Sequence, residues 1–255
     1  MEQPIHFYNQ HGEKLAGSLH LPETHDGCGV VFGHCFTCSR HTRIIRETCD
    51  ALAAEDFLAL RFDFSGNGQS EGEFSKSTYS KQIAEMQEAC GVILKKGVRR
   101  LGLAGHSMGA VIAVLTAPRI EAVKAVCTLA GRLTGLNAAN FFSRRQIKEL
   151  ESTGKVSFTS RGRSLQLSKE FFADSKQYDL PEAVKSLKTP LMVVHGDADE
   201  IIPVDNAYLA KSLNPERMEL SVIAGADHMF SNDKHRSQIV KLVVRWFKER
   251  LHESF

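Results

Sequence analysis

The sequence has no run of about 18 consecutive apolar residues, so it offers no candidate membrane-spanning helix. Its opening, MEQPIHFYNQHGEKL, lacks both a basic start and an apolar h-region, which excludes a secretory signal there and leads us to expect a cytoplasmic protein. Charge of one sign is not in excess: 32 Lys and Arg face 30 Asp and Glu, for a net charge of +2. That balance excludes a nucleic-acid binder working by counterion release. Internal repeats, low-complexity tracts and charge blocks are all missing. The six cysteines do not make a disulfide framework in a chain of this length, and in the cytoplasm they are expected to be free thiols. With 42% hydrophobic and 24% charged residues, the 255-residue chain has the make-up of an ordinary globular protein that buries a sizeable core.

What is present is an alternation of short apolar runs with helical patterns. Residues 5–9 and 14–21 flank Gln10-His11-Gly12-Glu13 and read as a hairpin. Buried strands are expected at 29–33, 57–62, 100–104, 123–129, 191–195 and 219–223. Helices are expected at 42–54, 79–95, 108–117, 205–213 and 237–251, where apolar residues recur every three or four positions. Strands alternating with helices predict a mostly parallel, eight-stranded sheet covered on both faces. The rhythm breaks between about residues 132 and 189. There, helical patterns at 137–150, 169–174 and 181–187 surround a hairpin signal at Ser160-Arg161-Gly162-Arg163. The expectation is a single α/β domain over residues 1–255, with this segment inserted as a small cap.

Gly105-His106-Ser107-Met108-Gly109 matches G-x-S-x-G and lies between an apolar strand and an apolar helix. The spacing has a physical reason. A nucleophile on a sharp strand-to-helix turn stands above the sheet, and glycines two before and two after it let neighbouring backbone pass closely. The helix N-terminus places positive charge and an N–H where an oxyanion would form. A serine nucleophile needs a base, and the base needs an orienting carboxylate. His228, in Gly225-Ala226-Asp227-His228-Met229 after the last strand, is placed for the base. His195 ends a strand and reads as structural, and His235 reads as a solvated residue at the start of the last helix. The acid comes from His195-Gly196-Asp197-Ala198-Asp199-Glu200. Asp199 is the choice over Asp197, which suits a backbone-bonding role in the turn, and over Glu200, expected to face solvent. Asp227 cannot easily face the ring it precedes.

These segments name a family. Together with His34-Cys35-Phe36-Thr37 and Asp63-Phe64-Ser65-Gly66-Asn67-Gly68-Gln69-Ser70, they make the chain resemble the α/β-hydrolase superfamily over nearly its whole length. It is similar to small bacterial serine esterases of the cinnamoyl/feruloyl-esterase and monoacylglycerol-lipase kind. The resemblance implies a mostly parallel sheet with a helix–hairpin cap, and a triad of Ser107, Asp199 and His228. It implies oxyanion donors at the backbone N–H groups of Phe36 and Met108. It also implies carboxylester hydrolysis without a metal or organic cofactor. The family usually reads His-Gly-Phe or His-Gly-Gly where this chain reads His34-Cys35-Phe36. If that glycine needed a positive φ, Cys35 would strain the loop. The segment is also similar to the hydrolase half of proteins fused to an OsmC-type domain, which share the cysteine.

Cys35-Phe36-Thr37-Cys38 is a C-x-x-C, but neither a thioredoxin-like setting nor a second pair for zinc accompanies it. Ordinary thiols near the site are expected. The Gly-rich loop at 65–72 lacks a phosphate-binding signature. Arg144, Arg145, Arg161 and Arg163 read as a solvated face, with an anion-binding role as the alternative. Phe141, Phe142, Phe171 and Phe172 are expected to line the acyl pocket. The expected partner is a small-molecule ester bound by a monomer or homodimer, with no nucleic acid and no membrane. Thioesterase, amidase, aminopeptidase or acyltransferase chemistry with the same triad remains open, as does a silent ligand-binding scaffold.

Overall fold

The computed structural model describes residues 1–136 and 142–252. Ten strands are present among them: β1 (Glu2–Tyr8), β2 (Lys14–His20), β3 (Cys28–Gly33), β4 (Leu58–Phe62), β5 (Arg100–His106), β6 (Val123–Leu129), β7 (Lys155–Ser160), β8 (Arg163–Ser168), β9 (Leu191–Gly196) and β10 (Met218–Ile223). The helices are α1 (Arg43–Ala53), α2 (Tyr79–Leu94), α3 (Met108–Thr116), α4 (Arg144–Thr153), α5 (Lys169–Ser175), α6 (Leu180–Ser186), α7 (Asp205–Leu213) and α8 (Asp233–Leu251). Eight strands form one sheet in the order β1-β2-β4-β3-β5-β6-β9-β10. β2 runs against both neighbours, and β4, β3, β5, β6, β9 and β10 run parallel. This is the α/β-hydrolase fold, as the sequence predicts.

The central strands are apolar throughout because both faces are covered. Val31, Leu60, Leu101, Leu103 and Val193 face a core shared with Ile83 and Met86 of α2 and Val111 of α3. Val30, Phe32, Ala104, Cys127 and Val194 face a second core with Ile44 and Ile45 of α1 and Val243, Trp246 and Phe247 of α8. Each fully buried aliphatic side chain contributes about 1.5–3 kcal/mol, before the cost of ordering the chain. Local chemistry sets where helices begin. The Thr78 side chain accepts from the Lys81 N–H at the start of α2, and Asp179 accepts from Glu182 at the start of α6. α8 begins four residues earlier than the apolar periodicity indicates, because Asn232 caps it by accepting from the Lys234 N–H at 2.8 Å. His235 therefore lies inside its first turn, half-buried.

The segment between β6 and β9 leaves the main sheet. β7 and β8 pair antiparallel as a separate two-stranded sheet, turning at Arg161-Gly162 where the sequence signals a hairpin. α4 starts on a capping box between Ser143 and Gln146 and ends at Gly154 in the left-handed region. The helix expected from residue 137 is thus seen from Arg144 onward, and residues 137–141 lie outside the described residues.

Close backbone approach positions the turn after β5. A Cβ on Gly105 would overlap the backbone of Gly109, and one on Gly109 would overlap the Gly33 carbonyl at the end of β3. We predict that Gly109→Ala destabilises the fold by about 1–3 kcal/mol, the usual cost of overpacking where backbone must move. A lowered urea midpoint at unchanged slope checks this; an unchanged midpoint refutes the packing argument.

Candidate active site

Ser107 sits between β5 and α3 with φ 55° and ψ −112°, a conformation that L-residues avoid. Its N–H donates to the Leu129 carbonyl of β6 at 2.8 Å, which ties the turn to the neighbouring strand. The Ser107 side chain stands at the head of α3, whose first residue is Met108.

Asp199 lies in the loop after β9 and is 7% exposed. Its Oδ1 accepts the Ile201 and Ile202 N–H groups at 2.9 and 2.7 Å. Its Oδ2 lies 2.8 Å from His228 Nδ1 and 3.3 Å from His195 Nε2. Burial pushes this carboxyl upward, but the bonds from His195, His228 and the Ile202 N–H outweigh it and hold it well below the usual carboxylate range. An ionised Asp199 can only accept, so His228 carries its proton on Nδ1. His228 Nε2 is then free to accept, and it lies 3.2 Å from Ser107 Oγ. The structure thus brings the three residues picked from the sequence into one hydrogen-bonded line.

The alternative carboxylates are placed elsewhere. Asp197 accepts the Gly225 N–H at 2.6 Å, bonding turn backbone as expected. Asp227 accepts the Ser231 N–H at 2.8 Å and does not face the ring. Glu200 is exposed, and its carboxylate also accepts the His228 N–H at 3.4 Å, a backbone contact that the solvent-facing expectation omits.

Three buried histidines surround the line, one at the end of each of three strands. His106 Nε2 donates to the His228 carbonyl at 2.8 Å. His195 Nε2 donates to the Ile202 carbonyl at 2.8 Å while touching Asp199. His34 accepts the Phe64 N–H on Nε2 at 3.0 Å, so its Nδ1–H donates to the Cys35 carbonyl at 2.6 Å. Only His195 drew a structural reading from the sequence. The signal for all three was a histidine beside a glycine at the end of an apolar strand.

The loop after β3 departs from expectation in one respect. Cys35 and Cys38 are joined as a disulfide, so they are not thiols, while Cys28, Cys49, Cys90 and Cys127 are free and buried. The loop folds the two sulfurs together in a turn that also carries a Cys38 N–H to Cys35 carbonyl bond of 3.2 Å. Cys35 is not among the described residues with positive φ, so it occupies the glycine position without strain.

Ser107, Phe36 and Met108 border a cavity of about 520 Å³. Phe142 and Phe171, two of the four phenylalanines singled out in the sequence, line it. Phe172 does not; it packs edge-on against both, one layer behind, because α5 turns its neighbour Phe171 inward instead. Phe141 lies outside the described residues. The sequence reading missed Phe36, Tyr79 and Phe158, which complete the wall from three distant segments. The arginines divide. Arg144 and Arg145 are exposed on α4, whereas Arg163 donates to the Thr37 carbonyl at 2.8 Å and Arg161 reaches the Met229 sulfur at 3.1 Å.

Two clusters offer the atom types of a metal site: Asp26, Cys28 and His252, and Glu2, His20 and Asp50. In each, a guanidinium already neutralises a carboxylate, Arg100 at Asp26 and Arg61 at Glu2. No helix among the described residues is long and apolar enough to cross a membrane.

Comparison with known proteins agrees with the fold. Residues 30–134 match the family model described as serine aminopeptidase, S33. The chain is 22% identical over 94% of its length to a monoacylglycerol lipase of Mycolicibacterium smegmatis, covering 95% of that protein. The structure of Est1E from Butyrivibrio proteoclasticus with bound ferulic acid is similar at TM-score 0.81, 23% identity, 96% of this chain and 98% of that one. The esterase domain of a Rhodothermus marinus protein is similar at TM-score 0.76 and 22% identity, covering 99% of this chain and 100% of that one.

Burial pushes the His106 imidazole down to about 3. Its folded value thus lies below that of the unfolded chain, near 6.5, so the unfolded chain binds a proton here that the folded chain refuses. Stability is therefore lost as pH falls through the window from about 6.5 to about 3. His106→Gln keeps an amide donor for the His228 carbonyl and removes the titration. We predict that the unfolding free energy of this variant falls less steeply with acid than wild type, by up to one proton, or about 1.4 kcal/mol per pH unit. Denaturant titrations at several pH values check this; parallel pH curves contradict it.

Proposed function

We propose that the protein is a serine carboxylester hydrolase, a reading carried by the Ser107–His228–Asp199 line opening into an aromatic cavity. Ser107 Oγ attacks the ester carbonyl as His228 Nε2 takes its proton. Asp199 holds the Nδ1–H tautomer and stabilises the imidazolium. His228 then protonates the leaving alcohol, and the acyl group stays on Ser107. Water, deprotonated by the same Nε2, attacks the acyl-enzyme, and the acid departs with Ser107 restored.

Oxyanion charge falls to the N–H groups of Met108 and Phe36. Met108 follows the nucleophile at the positive end of α3. The Cys35 carbonyl is turned toward His34 and the Cys38 N–H, and a trans peptide places the Phe36 N–H on the opposite side. The segment from about residue 132 to 189 acts as the cap: Phe142, Phe158 and Phe171 come from it and close the acyl side of the cavity. Carboxylesters of medium or aromatic acids fit these walls.

Ser107→Ala is predicted to lower kcat on p-nitrophenyl esters by about 10⁶-fold, the scale of losing a triad serine. It should also abolish labelling by a fluorophosphonate. Retained turnover in the variant removes Ser107 as the nucleophile. Phe158→Ala is predicted to move the acyl preference toward longer or bulkier chains, read from kcat/KM across a chain-length series. An unshifted profile removes the cap from the acyl pocket. Amide hydrolysis is a second reading, favoured by the aminopeptidase family model. Matched p-nitrophenyl ester and p-nitroanilide substrates separate the two, with the ester predicted to be the faster.

A further inference from the structure

We infer that the Cys35–Cys38 disulfide is a redox site that holds the proposed oxyanion loop in its working shape, so that its reduction by a dithiol lowers ester hydrolysis. The inference rests on the esterase reading above. The disulfide spans Phe36 and Thr37, and both of these residues border the cavity beside Ser107. The other cysteines, Cys28, Cys49, Cys90 and Cys127, are free and buried in the body of the fold. Thus the disulfide among the described residues sits on the loop whose N–H is proposed to hold the oxyanion.

Contacts around the loop show how it is held in the disulfide form. In the disulfide form the Cys35 carbonyl accepts from His34 at 2.6 Å and from the Cys38 N–H at 3.2 Å. That orientation turns the Phe36 N–H away from them. Thr37 is held from the other side, its hydroxyl 2.8 Å from Ser160 Oγ and its carbonyl accepting from Arg163. Beyond the loop, Arg40 is fixed by a buried ion pair with Asp63 and an Arg40 N–H bond of 2.6 Å to the same carboxylate. The disulfide therefore covalently closes a turn that these hydrogen bonds also hold, and it acts with them on the placement of the Phe36 peptide. A glycine turn would leave this to packing. Here a covalent bond adds to those contacts, and a covalent bond of this kind is reversible.

Reduction proceeds by thiol–disulfide exchange. A thiolate of the dithiol attacks one sulfur of the pair, forming a mixed disulfide and releasing the other cysteine, which takes a proton. The second thiol of the reagent then displaces the remaining cysteine, leaving a cyclic disulfide. Two electrons and two protons pass from the reagent to Cys35 and Cys38. Cys35 and Cys38 are mostly covered, at 7% and 6% exposure, so exchange is slow and needs excess reagent.

The test compares oxidised, reduced and reoxidised protein. Oxidised protein is assayed on a p-nitrophenyl ester, with Ser107→Ala as the blank. A second portion is incubated with excess dithiothreitol without denaturant, desalted anaerobically, assayed, and alkylated with iodoacetamide for mass mapping. Complete loss of one donor costs roughly 10²–10³ in rate. A loop that keeps its other hydrogen bonds forfeits part of that, and we expect kcat to fall about 5- to 50-fold with KM changed less than about 2-fold. Reoxidation with diamide should restore it. The Cys35→Ser/Cys38→Ser double variant should show the low kcat from the start and ignore dithiothreitol. Unchanged or increased kcat in protein alkylated at Cys35 and Cys38 overturns the inference, as does wild-type kcat in the double variant. A disulfide that resists reduction in the folded protein overturns it too, leaving a structural crosslink. Absence of Ser107-dependent turnover in the oxidised protein is a different failure, because it removes the esterase reading itself.

Discussion

Ser107 holds a backbone conformation that an L-residue avoids, and the surrounding structure depends on keeping it there. The turn from β5 into α3 is sharp enough that Gly105 and Gly109 touch through backbone, and Gly109 also meets the end of β3. No side chain fits between these segments. The strain is countered by a Leu129 carbonyl that holds the Ser107 N–H and by two apolar cores that clamp the sheet from both faces. The arrangement raises one hydroxyl above the strand ends and aims a helix N-terminus at the same point. Strand order does the rest: β3, β5, β9 and β10 bring their C-terminal loops to one edge, and these loops carry Phe36, Ser107, Asp199 and His228.

Buried histidines turn that topology into fixed geometry. His34, His106 and His195 each end a strand or follow it directly, and each donates to a carbonyl in a functional loop. Burial holds His34 and His106 below their ordinary titration range. Charged imidazoles here would stand beside Arg40, Arg161 and Arg163 and would weaken the polarity that Asp199 supplies to His228. A neutral ring donates one hydrogen bond and adds no charge. Its cost is visible in the second ring nitrogen of His106, which is buried without a hydrogen-bond partner.

Much of this was legible in the sequence because the physics is local. Alternating apolar runs and helical periods fix the parallel sheet, and G-x-S-x-G marks the strained turn without knowledge of anything distant. His228 is readable because it is the histidine in the loop that follows the last strand. Asp199 over Asp197 leaned on family resemblance, and in the structure the reason is the turn: Asp197 is spent on the Gly225 N–H, while Asp199 points back to the ring. The cavity wall was less legible. Phe36, Tyr79 and Phe158 come from β3's loop, α2 and β7, and no window of sequence shows that they converge. Phe172 was misplaced because adjacent residues on a short helix face different directions. The disulfide was excluded on grounds of compartment and count, which are averages over proteins. The closure of the Cys35–Cys38 turn is a local event that such averages do not see.

The β7–β8 hairpin links these layers. Its tip does not hang free over the cavity. Ser160 and Arg163 hold Thr37 of the loop after β3, and Arg161 reaches Met229 beside His228. Phe158, one turn further in, stacks with Phe36 at 6.2 Å, and Phe171 packs on Phe36 at 5.4 Å. The side chain of Phe36 therefore belongs to the cavity wall while its N–H belongs to the proposed oxyanion site. In such an arrangement the wall and the oxyanion donor share one residue, so a change in what fills the cavity is felt at the donor. In the esterase reading proposed above, acyl preference and the placement of transition-state charge become one mechanical problem, shared by the hairpin, the disulfide turn and His34.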